Sequence, residues 1–443
     1  MNTKVRVVTA VAALALVSGC GVFKGGGAKK TPVLGERVPI LVTENDITAD
    51  KTLAGIEVQL PEAATNENWN QPGGSASKAM GHLTLGESLS RVWSRQVAKP
   101  SKSERLAASP VIEGNKLFVI DQAGTVHAMA ADTGAELWSA RTGAGADKRS
   151  RGALFGGGVS VEGDHVYASN GLGDVVALEI GDGKEIWRKR PGGPLRGAPT
   201  LANGNVYVVT QDNQLFALTQ DKGDVSWTAT ASLESQGVFG VAAPASAQGT
   251  VIAGFSSGEL NAYRYENGLS LWGDVLTRNT MTTSVSSLSD IDAEPVIDQG
   301  RVYALGEGGR MVAVDITSGS TLWEQSIGGL SSPYAVGEWL FVVTDDARLL
   351  CLSRSSGKPR WIVQLQKYKN EKKLKNPVAW KGPIAAGGRL LLINTLGEIV
   401  SVSPRDGSIL STKETKDPLS LAPVIANNML YLLDDKGRLS AYR

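Results

Sequence analysis

Short hydrophobic runs separated by turn residues recur along most of the chain. Val206-Tyr207-Val208-Val209 is a β-branched and aromatic run suited to a strand buried on both faces. Asp212-Asn213 follows as a hairpin turn and Leu215-Phe216-Ala217-Leu218 as the next strand. Asp221-Lys222-Gly223-Asp224 forms a second turn, with Gly223 supplying a positive φ, and Trp227 opens an outer strand. With a first strand beginning near Pro199, the predicted unit has four antiparallel strands.

The unit repeats with a constant internal ruler. Trp falls at 93, 138, 187, 227, 272, 323 and 361. Pro110, Pro199, Pro244, Pro295 and Pro333 precede Trp138, Trp227, Trp272, Trp323 and Trp361, each by the same number of positions. Two copies are degenerate: Val159 replaces the Pro ahead of Trp187, and Ser411 replaces the Trp after Pro383. At one fixed step after the Pro position stands a small side chain: Ala128, Ala177, Ala217, Ala262, Ala313, Cys351, Ser401 and Ala441. At a second fixed step stands Gly134, Gly183, Gly223, Gly268, Gly319, Gly357 or Gly407. Every insertion therefore falls between a Trp and the next Pro.

A four-stranded sheet of this kind cannot bury both faces alone, so neighbouring copies must stack in a ring. The small residue leaves room for an indole plane, which places Trp93, Trp138, Trp187, Trp227, Trp272, Trp323 and Trp361 between adjacent blades as structural residues. The last copy begins at Pro423 and reaches Arg443 without its Trp strand. Ser90-Arg91-Val92-Trp93-Ser94-Arg95 is a Trp strand with no copy before it, so it is expected to complete that blade and remove a raw sheet edge. The predicted fold is all-β: an eight-bladed β-propeller of four-stranded antiparallel blades, the last closed by an N-terminal strand.

Three segments precede or form this ring. Residues 1–19 read as a lipoprotein signal peptide: Lys4 and Arg6 lead an apolar run over residues 7–17, too short to cross a bilayer about 30 Å thick as a helix. Val17-Ser18-Gly19-Cys20 resembles a bacterial lipobox, which implies cleavage before Cys20 and acylation of that residue, with palmitate among its chains. Gly21 follows in place of the Asp that retains many such lipoproteins at the inner membrane, so the resemblance implies the periplasmic face of the outer membrane. Residues 20–85 comprise the lipidated N-terminus, a Gly- and Lys-rich tether and an irregular segment with no assigned role, in which Trp69 is a candidate to pack on the main domain. Residues 86–443 form the propeller.

Composition removes several kinds of chemistry. Forty-five Lys and Arg against 44 Asp and Glu give no field for gripping nucleic acid. Two Cys cannot build a disulfide framework, and Cys351 takes the small blade position, where it reads as an inert core thiol. His82, His127 and His165 are scattered. Residues 367–375 (KYKNEKKLK) read as a solvated charge run, since one aromatic is no stacking platform for nucleic acid. No cofactor, metal or catalytic residue is assigned.

The A-L-x-x-x-x-G-x-x-x-W pattern resembles the repeat of pyrroloquinoline-quinone dehydrogenases, but the adjacent Cys pair and the C-x-x-C-H haem motif found in such enzymes do not occur. A lipobox, a tether and quinoprotein-like blades resemble instead the BamB family, lipoproteins of the machinery that assembles outer-membrane β-barrels. The likeness is sharpest at Ser287-Leu288-Ser289-Asp290-Ile291-Asp292, where that family carries L-S-D-x-D. A second family loop corresponds to Gln236-Gly237-Val238-Phe239-Gly240, with Phe239 where an Arg is common. The resemblance implies a non-catalytic scaffold that binds a periplasmic POTRA domain of BamA through Val238, Phe239, Leu288, Asp290 and Asp292. It also suggests that blade edges receive unfolded outer-membrane proteins by strand addition. A quinone-dependent periplasmic dehydrogenase, or a propeller lipoprotein with another envelope partner, are the alternative readings.

Overall fold

The computed structural model describes residues 47–101, 105–143, 155–233, 240–276, 290–307 and 309–443. They form eight four-stranded antiparallel sheets, each ordered from an inner strand to an outer one. Blades 1 to 7 occupy residues 111–141, 157–189, 200–230, 245–275, 296–325, 334–364 and 380–414. Blade 8 combines residues 424–442 with Arg91–Gln96, which pairs antiparallel to Arg438–Tyr442 with Trp93 opposite Ala441. The N-terminal strand thus closes the last blade.

The ruler has a physical cause at each seam. Within a blade the Trp stands opposite the small residue, as in Ala217↔Trp227 and Cys351↔Trp361. Its indole then reaches into the following blade. Trp187 Nε1 donates to the Gln220 carbonyl at 2.9 Å, and Trp227 Nε1 to that of Tyr265 at 2.8 Å. The same bond recurs at all seven Trp, including Trp93 of blade 8 to Ala131 of blade 1 at 2.9 Å. Each indole also covers the turn glycine of that next blade. A Cβ on Gly223 would lie 2.6 Å from Cε3 of Trp187, so the position excludes a side chain for lack of space as well as for its φ of +68°. An aromatic on the second strand tilts against the indole of its own blade, as with Tyr207 and Trp227 at 5.8 Å between centroids.

Blade 7 carries Ser411 in place of Trp, and the cause is topological. Blade 8 takes its outer strand from residues 91–96, so no turn links its third and fourth strands and no turn glycine faces the Ser411 strand. Ile409–Glu414 is accordingly exposed throughout.

The irregular segment has a structural place. Residues 66–83 pass through the hub and meet all eight blades in turn. Asn66 bonds Ile425 and Asn427 of blade 8, and Trp69 exchanges two backbone bonds of 2.8 Å with Ile112 of blade 1. Asn70 accepts from Val161 of blade 2, and the Gln71 side chain brackets Leu201 of blade 3. Ala76 and Ser77 accept from Ser246 and Ile297 of blades 4 and 5. The Gly81 carbonyl accepts from the Tyr334 hydroxyl of blade 6, and Leu83 pairs with Ala385 and Gly387 of blade 7. At seven blades one continuous strap satisfies backbone groups of the inner-strand edge, and at blade 6 it takes the Tyr334 hydroxyl instead.

Trp227→Ala is expected to lower unfolding free energy by about 3–5 kcal/mol, whereas Ser411→Ala, at the same register without a glycine opposite, should change it by less than about 0.5 kcal/mol. Urea unfolding of both variants checks this. A chain starting at residue 87 should unfold at markedly lower urea than one starting at residue 47, because it loses the strap and buried Trp69.

Candidate docking site at the mouth of the ring

The segments leading into the inner strands gather at the hub on the N-terminal side of the repeat prolines. Two of them meet on a buried guanidinium. Arg196, just ahead of Pro199 in blade 3, is fully buried, and its Nη2 lies 2.5 Å from Asp290 Oδ1 and 2.9 Å from Asp292 Oδ1. Between these aspartates Ile291 is buried against Gly254, with its N–H donating to Phe255 of blade 4 at 3.2 Å. The Asp290 carbonyl accepts from Glu307 of blade 5 at 3.0 Å. Asp290-Ile291-Asp292 thus ties blades 3, 4 and 5 together. Gly240 lies on the Arg196–Asp292 pair so closely that any Cβ would collide with both partners.

The cluster holds more negative than positive charge. Burial, followed by repulsion from Asp290, pushes the Asp292 carboxyl up to about 6. Burial, with Asp292 and Asp290 adding to it, pushes Glu307 up to about 7. Nε and Nη1 of Arg196 and Oδ2 of Asp290 have no hydrogen-bond partner among the described residues. Beside this cluster a cavity of about 170 Å³ lies among the strap and the inner strands, with Asp292, Lys78, Glu294 and Lys381 in its wall. Lys78 Nζ bonds Thr200 at 3.2 Å and Lys381 Nζ bonds the Leu330 carbonyl at 3.0 Å. Burial lowers Lys78 to about 8.

A quinone with its calcium would need open hub space and free carboxylates. Here residues 69–80 cross the hub, and Asp290 and Asp292 share Arg196. Among the described residues no group of three His, Cys, Asp or Glu is arranged to hold a metal ion. The residues present do not fit that cofactor. The histidines lie apart: His127 beside Asp121, His165 against Tyr167, and His82 between Pro61 and Gly388. Cys351 is buried, which pushes its thiol up.

Of the residues expected to meet a partner, Asp290 and Asp292 come together, Asp290 facing inward and Asp292 at the edge of exposure. Val238, Phe239 and Leu288 lie outside the described residues, as does Cys20. Arg196 was not anticipated from the sequence. Its signal is a lone cation in Leu195-Arg196-Gly197-Ala198-Pro199. At that register before the hub strand the other blades carry uncharged residues, with one exception: Asp292, its partner.

The chain resembles known proteins along most of its length. The family model for outer membrane protein assembly factor BamB matches residues 122–363. The assembly factor BamB of Salmonella typhimurium is 32% identical over 329 residues, covering 73% of this chain and 83% of that protein. The crystal structure of BamB from Moraxella catarrhalis superposes with a TM-score of 0.65 at 17% identity, over 80% of this chain and 98% of that one. The quinohemoprotein alcohol dehydrogenase of Comamonas testosteroni shares the fold, with a TM-score of 0.65 at 14% identity over 88% of this chain and 83% of that one.

Asp292 and Glu307 both titrate above their ordinary values of 3.8 and 4.5. The stability they contribute is therefore complete below about pH 4 and is lost as pH rises through about 6 and 7. Urea midpoints measured from about pH 5 to pH 8 should show this decline, and Glu307→Gln should flatten it.

Proposed function

The chain belongs to the BamB family of outer membrane protein assembly factors, and from that premise we propose that it is a non-catalytic scaffold lipoprotein of the barrel assembly complex. It docks on a periplasmic POTRA domain of BamA through the loops at the hub mouth, and Cys20 tethers it to the periplasmic face of the outer membrane. Among the described residues no helix is long and apolar enough to cross a membrane, and this reading supplies the anchor as lipid on Cys20.

The observation that carries the docking reading is the Arg196 clamp. Residues 290–292, which follow Leu288 and Ser289 in the sequence, are fixed to three blades and form a rigid base. Gly240, which directly follows Val238 and Phe239 in the sequence, lies on the same ion pair. Rigid bases shorten the conformational search of the loops they carry, which favours binding. In this reading Leu288, Val238 and Phe239 make the apolar contact, with Phe239 as an aromatic anchor. Asp292 lines the edge of the contact, and Asp290 acts through Arg196 by holding the loop. The blade rims are offered to unfolded barrel strands as a second, weaker contact.

The lipidated protein should retain BamA from detergent-solubilised membranes. Phe239→Asp and Leu288→Asp should each weaken binding to the isolated POTRA domains by about 2 kcal/mol, roughly 30-fold, with thermal unfolding unchanged. Surface plasmon resonance measures both; recovery of a different envelope protein in place of BamA would overturn the assignment.

A further inference from the structure

The link between blades 6 and 7 is longer than the ring requires. The hub proline that follows Trp361 is Pro383, more than twice as far along the chain as Pro333 is from Trp323 at the preceding junction. The extra residues form an ordered hairpin of Tyr368–Asn370 and Lys375–Pro377, turned by a 3-10 segment over Glu371–Lys373. Val378 N closes its base on the Lys367 carbonyl at 3.0 Å, and Trp380 Nε1 of blade 7 holds it to the ring through the Gln366 carbonyl at 2.9 Å. Its tip is held by its own side chains. Asn370 Oδ1 accepts from Lys373 N at 3.0 Å, and the Glu371 carboxylate accepts from the N–H groups of Lys367 and Tyr368 at 3.2 Å. That turn presents Leu374 in a left-handed conformation with 66% of its surface exposed.

Charge surrounds this apolar tip. Lys369, Lys372, Lys373 and Lys375 occupy the hairpin without an ion pair among the described residues, while Lys367 at its base feels Asp345 and Asp346. The single carboxylate, Glu371, is occupied by backbone. An exposed leucine between lysines on a preordered turn suits the boundary of an anionic bilayer, where the ammonium groups meet headgroup phosphates and the leucine enters the acyl edge.

The strand leading into the hairpin is also where the N-terminal segment meets the ring. Asp50 N donates to Pro359 O at 2.8 Å, Lys358 pairs with Asp50 at 2.8 Å, and Arg360 Nε donates to Ile56 O at 2.7 Å. Ile47 packs on the same cluster as Ile362 of that strand. Residues 47–56 thus lie against blade 6, on the strand that leads into the hairpin. We propose that the basic hairpin of residues 366–378 is a membrane-contact finger that lays Leu374 into an anionic phospholipid surface and sets the orientation of the ring. This rests on the lipid-anchored reading only for what brings the finger to the bilayer.

Vesicle sedimentation with protein that begins at Gly21 separates the two ideas, because the acyl anchor is then gone. The unlipidated chain should bind phosphatidylethanolamine–phosphatidylglycerol vesicles and not phosphatidylcholine ones, and salt should release it. Each lysine near such a surface multiplies partitioning about fivefold, so the triple substitution Lys372→Gln, Lys373→Gln, Lys375→Gln should weaken binding roughly a hundredfold. Leu374→Cys carrying a polarity-sensitive dye should shift to the blue on anionic vesicles. Equal binding of the triple variant, no dye shift, or retention on a polyglutamate resin without vesicle binding would overturn the finger, the last in favour of an acidic protein partner. Full-length lipidated protein that still floats with vesicles in those cases would leave the anchor standing.

Discussion

The indole seated over a glycine in the next blade is the contact on which the ring depends. It joins two elements 31 to 44 residues apart in sequence through one hydrogen bond and one close packing face. An indole buries a large apolar area and carries a single donor, so it requires a flat neighbour and one well-placed carbonyl. The flat neighbour must be glycine, and the carbonyl belongs to the turn containing that glycine. The Pro-to-Trp stretch is therefore held at constant length. Where the receiving turn is replaced by the N-terminal strand, the tryptophan disappears as well, at Ser411.

Seams between blades leave the inner strands unsolved, since each presents one edge to the hub. The strap answers that need with one short segment that meets every blade, and in doing so it fills part of the hub. The charges beneath it follow from the same enclosure. Carboxylates brought together out of water must share a cation or take up protons. Arg196 supplies the cation for Asp290 and Asp292, and Glu307 is left to titrate near neutrality.

Much of this was legible in the sequence because it is periodic. The ruler, the small residue opposite each Trp, the split blade and the strand around Trp93 can all be read from spacing, since each follows from a contact repeated around the ring. What occurs only once could not be read in that way. The strap has no internal period, and its pairing is set by blades whose positions the local sequence does not encode. Arg196 and Asp290 lie 94 residues apart with no local motif linking them, so only the closed ring brings them together. Gly223 reads correctly as a positive-φ position, but the indole above it belongs to another repeat and leaves no local trace.

The same constraint explains where this protein can diverge. Between the Pro and the Trp, an added residue would shift the indole off its glycine. Between the Trp and the next Pro, the chain returns from rim to hub, and its length is limited only at the two ends. Loop-closure entropy rises slowly with length, so insertions there are tolerated. The segments containing Val238 and Phe239, Leu288, and residues 366–378 all fall in this permitted interval. Because every such interval runs from an outer strand to the next inner one, the strand ends that bound these intervals lie on one side of the ring. The basic hairpin of residues 366–378 rises from that side, so the ring tolerates it without disturbing any indole-to-glycine seam.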